Sequence, residues 1–148
     1  MSCIVTAEGF FVSRDYVIKE LTLLFSLSDF QHFMFDPPVN IIIAPSDRAT
    51  IRYTERLNGL RLTDSSFLPY EVIGYILEKV AHLKIYTAGQ QVTDALKRYL
   101  PRTQIIDVCK DYGFRYPLDM MRMNCFKSHP ARYCSYSKAV ALKHALHV

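Results

Sequence analysis

Apolar residues fall at two spacings along this chain, first the alternation of strands and then the three-to-four-residue step of helices. Ile4-Val5, Phe10 to Val12 and Val17 to Phe25 are rich in β-branched and aromatic residues, and Ser13-Arg14-Asp15 breaks the run as a turn. That pattern predicts a β-hairpin. In its second arm Val17, Lys19, Leu21 and Leu23 alternate with Ile18, Glu20, Thr22 and Leu24, as in a strand covered at least partly on both faces. Glu20 is an acid planted among apolar residues, and it needs solvent or a partner. The prolines after Asp36 keep Phe33 to Pro38 extended or turned. Val39 to Ala44 reads as another short β run. Arg48 to Leu60 mixes charge with Ile51, Tyr53 and Leu57 and ends at Asn58-Gly59, which predicts a short helix or irregular segment closing in a turn.

From Pro69 the period changes. Proline suits a first helical turn, and Val72, Ile73, Ile76, Leu77 and Val80 repeat at helical spacing. Lys84 to Gly89 reads as a short buried strand. Val92, Ala95, Leu96 and Tyr99 mark a second helix stopped by Pro101, and Gln104 to Val108 a further strand. A last helix should start after Pro130 and run toward His144, burying Tyr136, Ala139, Val140 and Leu142. Helix-strand-helix-strand alternation points to parallel strands with helices packed on them. The fold class is therefore α/β, a mixed central β-sheet of hairpin strands plus parallel strands flanked by helices. One domain spans 1–148, without repeat, low-complexity tract or linker.

Composition narrows the classes. A chain of 148 residues, 50% hydrophobic and 22% charged, can bury a core without disulfide staples. No apolar run approaches a membrane span, and the N-terminus lacks a basic region followed by an apolar core. The expectation is an intracellular protein, cytoplasmic or nuclear, with no membrane partner. Its cysteines (Cys3, Cys109, Cys125, Cys134) then serve as thiols or metal ligands.

The net charge of +4 is unevenly spread. Through Cys109, Lys and Arg nearly balance Asp and Glu. Beyond it, Lys110, Arg115, Arg122, Lys127, Arg132, Lys138 and Lys143 face only Asp111 and Asp119. Aromatics such as Tyr112, Phe114, Tyr116, Phe126, Tyr133 and Tyr136 interleave with them, a mixture suited to phosphate contact and base stacking. Arg115, Arg122, Lys127, Arg132 and Lys138 are the candidate nucleic-acid contacts. A solvated face with core aromatics behind it is the plainer alternative.

Cys125-x3-His129-x4-Cys134 is the sharpest chemical signal. Zinc takes four Cys, His or carboxylate ligands in a tetrahedron, and three lie within ten residues here. The fourth is open between Glu20, Cys109 and a water, and the segment from about 109 to 148 becomes a zinc clip. Alternatively, Glu8 and Glu20 pair as magnesium ligands for phosphodiester cleavage, with Asp107 or Asp94 as a third acid; Asp94 reads better as a surface acid. His129 could instead act as a general base, though not while ligating zinc. No nucleophile elbow or phosphate loop is present. His82, His144 and His147 read as surface residues.

The order of elements resembles the DEDDh (DnaQ-like, RNase H-like) 3′–5′ exonuclease fold. Thr6-Ala7-Glu8 stands where that family has Asp-x-Glu, and Lys19-Glu20-Leu21 where its second strand carries an acid. Phe35-Asp36-Pro37 resembles its strand-ending motif, Leu68 to Leu77 its following helix, and Ile85 to Leu96 its second exonuclease motif. His129 followed by Lys138-Ala139 resembles the last, where a histidine precedes Asp-Ala. Thr6, Gln90-Gln91-Val92 and Lys138 replace the family's acids, leaving Glu8 and His129. That loss brings the chain nearer the Maelstrom domain, a divergent branch with a Glu-Cys-His-Cys zinc set. The resemblance implies Glu20, Cys125, His129 and Cys134 as zinc ligands. It further implies single-stranded RNA or a silencing-pathway protein as partner. A nuclease using Glu8, Glu20 and Asp107 is the enzymatic alternative. An assembly module, self-associating through aromatics of Phe30 to Phe35, is the third.

Overall fold

The structure, a computed structural model, describes residues 1–65, 67–117 and 134–147. Its centre is a five-stranded mixed sheet in the order β3-β2-β1-β4-β5. Strands β1 (Ser2–Val12) and β2 (Asp15–Ser26) form the predicted hairpin. Its two-residue turn holds Ser13 and Arg14 at positive φ (51° and 70°), as a tight hairpin connection requires. Ser13 donates to the Asp47 carboxylate from its backbone N (3.2 Å) and Oγ (3.4 Å), which helps hold this non-glycine turn.

The alternation of β2 breaks at Lys19. Glu8 faces Glu20, but Gly9 faces Ile18, so Lys19 is an extra residue bulged out of register. The bulge reverses parity: Ile18 shares one core with Leu21 and Leu23, whereas Glu20, Thr22 and Leu24 turn to the other face. The single alternation expected from Val17 to Leu24 therefore does not hold. Lys19 is almost wholly buried (1% exposed), donating to the carbonyls of Leu62 (3.3 Å) and Asp64 beneath the Phe67 ring. Burial holds its pKa below the usual lysine value.

Strand β3 (Asp29–Met34) pairs antiparallel with β2 and forms one sheet edge. Helix α1 (Pro45–Asn58) ends at Gly59, whose left-handed φ of 70° stops it. Helix α2 (Val72–Glu78), strand β4 (Lys84–Thr87), helix α3 (Gln90–Tyr99) and strand β5 (Ile105–Asp107) follow as expected. β4 runs parallel to both β1 and β5. A short helix α4 (Val108–Tyr112) follows, and α5 (Ser135–Leu146) closes the described chain.

Val39 to Ala44 forms no strand. Ile41 and Ile43 pack toward Phe10 and Ile51, while Val39 and Ile42 are 85% and 80% exposed and pair with no strand among the described residues. The expected aromatic patch also contracts. Phe35 is fully buried and Phe33 packs against the same core, leaving Phe30 half-exposed against Tyr136.

Helices α2 and α3 cover one sheet face, where Cys3, Val5, Ile18, Leu21, Ile73, Leu77, Ile85 and Leu96 form the main core. Successive β1 residues point to opposite faces. On the other face Ile4 packs with Ala139 and Leu142 of α5, and Phe10 packs with Ile51 of α1. Between these apolar ends the β1 positions are Thr6 and Glu8. No described helix is long and apolar enough to cross a membrane.

Candidate functional site

The polar interval on that face is the candidate site. β1 pairs with β4 only from Ser2 to Ile4, so Glu8 stands beyond the C-terminal end of β4. Crevices at such strand ends are the usual ligand position in open α/β sheets. Here the first turn of α5 fills it. Thr6 Oγ1 donates to the Ser135 carbonyl (2.5 Å), and the Thr22 and Ser135 hydroxyls share a hydrogen bond (2.7 Å). Glu20 Oε1 accepts from the Ser135 backbone N–H (2.5 Å), so a fully buried carboxylate sits at the positive end of α5.

Each carboxylate of the Glu8–Glu20 cross-strand pair has a cationic or potentially cationic neighbour. Like charges directly opposite each other on a sheet repel. Lys138, one turn into α5, forms an ion pair with Glu8 Oε1, and its ammonium lies 5.5 Å from the centre of the Tyr116 ring. Glu20 Oε2 lies 3.0 Å from His32 Nε2. Sequence reasoning missed His32. Its signal was the alternation of Phe30, His32 and Met34, which pair with Leu24, Thr22 and Glu20 and so share the α5-facing side.

The other predicted residues separate. Asp107 caps α4, its Oδ1 accepting from the backbone N of Cys109 (3.0 Å) and Gly89 (3.1 Å); a capping role accounts for its burial. Cys109 lies beside it, half-exposed, with its thiol pKa raised by burial and then by Asp107. Burial, followed by the charges of Cys109, Glu8 and Asp107, raises the Tyr116 hydroxyl. Cys134 is fully buried as the residue preceding α5. Arg115 and Asp94 are exposed, as are His82, His144 and His147. Lys138 is engaged with Glu8 rather than offered to phosphate. Cys125, His129, Arg122, Lys127 and Arg132 lie outside the described residues.

Glu20 accepts from the backbone of Ser135, the chain neighbour of Cys134. Glu20 and Cys134 suit zinc, as a hard oxygen and a soft sulfur of the kinds it accepts. Among the described residues no group of three His, Cys, Asp or Glu is arranged to hold a metal ion. No protein family model matches the chain, and no curated protein matches it in sequence.

Proposed function

We propose that this chain is a divergent RNase H-like, DnaQ-like domain whose catalytic centre has been replaced by a structural one. Its role is then binding of single-stranded RNA or a silencing-pathway protein rather than cleavage. The observation that carries the reading is the Lys138–Glu8 ion pair, formed between the last helix and the first strand of a β3-β2-β1-β4-β5 sheet. In a two-metal nuclease these elements would both contribute acids toward cations. Here the ammonium of Lys138 neutralises the one acid retained at the first motif, and Thr6 hydrogen-bonds to backbone instead of holding a metal.

Zinc belongs to the same reading. Glu20, Cys125, His129 and Cys134 would hold it, and the ion would tie the start of α5 to β2. His32 would orient the Glu20 carboxylate from outside that set, in the manner of an outer-shell partner. Elemental analysis of the pure protein should find zinc near one equivalent, and a strong chelator should lower the melting temperature, because metal binding energy in such a site is folding energy. Labelled single-stranded RNA incubated with magnesium or manganese should stay intact. Metal-dependent cleavage that disappears in Glu8→Gln would replace this reading with the nuclease.

A further inference from the structure

We propose that the exposed face of α1 is a docking surface for the phosphate backbone of a nucleic-acid strand, apart from the basic C-terminal segment. The inference rests on the nucleic-acid part of the reading above. Arg48, Arg52 and Arg56 recur every fourth residue, so they form a stripe along one side of the helix with a rise of about 6 Å per step. All three are exposed, and so is Arg61, which returns beyond Gly59 to line an open groove of about 720 Å³ with Arg52 and Arg56.

The stripe's charge is compensated only in part, by Glu55, which lines the same groove. None of these arginines takes part in an ion pair with a described residue. The acids of α1 also hold backbone groups: Asp47 accepts from Ser13, and Glu55 Oε2 accepts from the Leu62 backbone N (3.1 Å). Like charges four residues apart on a helix repel, and a cation in the first turn opposes the helix dipole. Arg56, in the last turn, suits the dipole, so the cost falls on Arg48 and on the four-residue spacing of the three arginines, and an anion laid along the row would relieve it.

The chemistry of the row favours phosphate over a carboxylate-bearing protein. It contains arginine and no lysine, the residue whose planar fork binds phosphate bidentately. Its regular step suits the repeating charge of a strand. Tyr53, 57% exposed on the same helix, supplies a ring for a base to stack on. An acidic protein partner would want an apolar anchor at its centre, and the groove, lined by three arginines and Glu55, has Leu60 as its one large apolar side chain.

The test is binding of a labelled oligouridine of about 16 nucleotides to the full chain across about 50–200 mM salt. Three proteins are compared: wild type, Arg48→Gln/Arg52→Gln/Arg56→Gln, and Lys79→Gln/Lys97→Gln/Arg102→Gln, which removes equal charge from other exposed positions. The arginine variant should keep its circular dichroism and melt no lower than wild type. It should bind at least about tenfold more weakly, with a salt slope shallower by about 2, while the control triple stays near wild type. Wild-type binding that is equal in both triples overturns the α1 surface and leaves the RNA reading standing. No wild-type binding at low salt overturns both. Wild type that ignores the oligonucleotide but holds polyglutamate through these arginines makes the face a protein-docking one, and the inference is wrong.

Discussion

Glu8 and Glu20 stand directly opposite each other on β1 and β2, both buried, with Lys138 beside the first and His32 beside the second. The sheet keeps two like charges at neighbouring positions because different elements bring the compensating groups, α5 for Glu8 and β3 for Glu20.

Lys138→Met removes an ammonium from a carboxylate that is itself 6% exposed. Breaking a buried pair from one side costs more than deleting both charges. Urea unfolding should show a loss of about 3 kcal/mol for Lys138→Met, with more than half recovered in Glu8→Gln/Lys138→Met. Additive losses would mean that the pair contributes little.

Two glycines should respond in opposite directions to alanine. At Gly9, beside the Lys19 bulge, an added Cβ would run into the Val17 carbonyl oxygen, a backbone atom that cannot step aside. Gly9→Ala should cost more than about 2 kcal/mol. At Gly74 in α2 the nearest atom, Cδ1 of Tyr99, is an ordinary 3.8 Å away, so Gly74→Ala should stabilise by about 0.5–1 kcal/mol. Thermal melts of the pair decide both.

Alkali should unfold the protein from about pH 9. Burial pushes the Cys3 thiol from 9.0 up to about 12, and it raises the hydroxyls of Tyr16, Tyr70 and Tyr116 above their usual 10.0. Above these ordinary values the unfolded chain releases protons that the native state keeps, so stability falls as pH rises. The Cys109 thiol, also raised from 9.0, adds to the decline, and Lys19, lowered by burial, acts in the opposite direction up to 10.5, one group against five. Stability should be flat just below pH 9 and decline above it. Cys3→Ala should make the decline between about pH 9 and 10 shallower, leaving the smaller part due to Cys109. An unchanged slope there would exclude the Cys3 thiol as a source.

Arg52 has arginines four residues before and after it on α1, so Arg52→Gln relieves repulsion on both sides. The unliganded protein should gain about 0.5 kcal/mol at low salt, and the gain should shrink as salt is added. Destabilisation would mean that the side chain packs rather than repels.

Long periodic segments were legible in the sequence. Ile73, Ile76, Leu77 and Val80 all turn toward one core, and Ile85 lies buried in the predicted β4. Elements short enough for local sequence to be ambiguous were not. β3 spans six residues, half of them polar, and α4 five, too few for a period to emerge. Lys19 shows a different limit: a bulge is set by pairing across the hairpin, and no pattern within one strand announces it. Val39 to Ala44 had the composition of a strand but pairs with no described strand, its Ile41 and Ile43 packing toward Phe10 and Ile51 instead. At the site, Glu20 was legible as an acid where apolar residues belong. His32 was not, because only its register against Thr22 turns it toward the helix.

Ser135 bonds to Thr6, Glu20 and Thr22 across 129, 115 and 113 residues of chain. During synthesis the hairpin therefore emerges with its two acids long before the helix that covers them. At ordinary elongation rates the delay is roughly ten seconds. Through that time Glu8 and Glu20 stand on the β1–β2 ribbon without α5 to cover them, between the apolar Ile4 and Phe10 ends of the same face. α5 later buries these acids, so a helix made late decides when the first strands are finished.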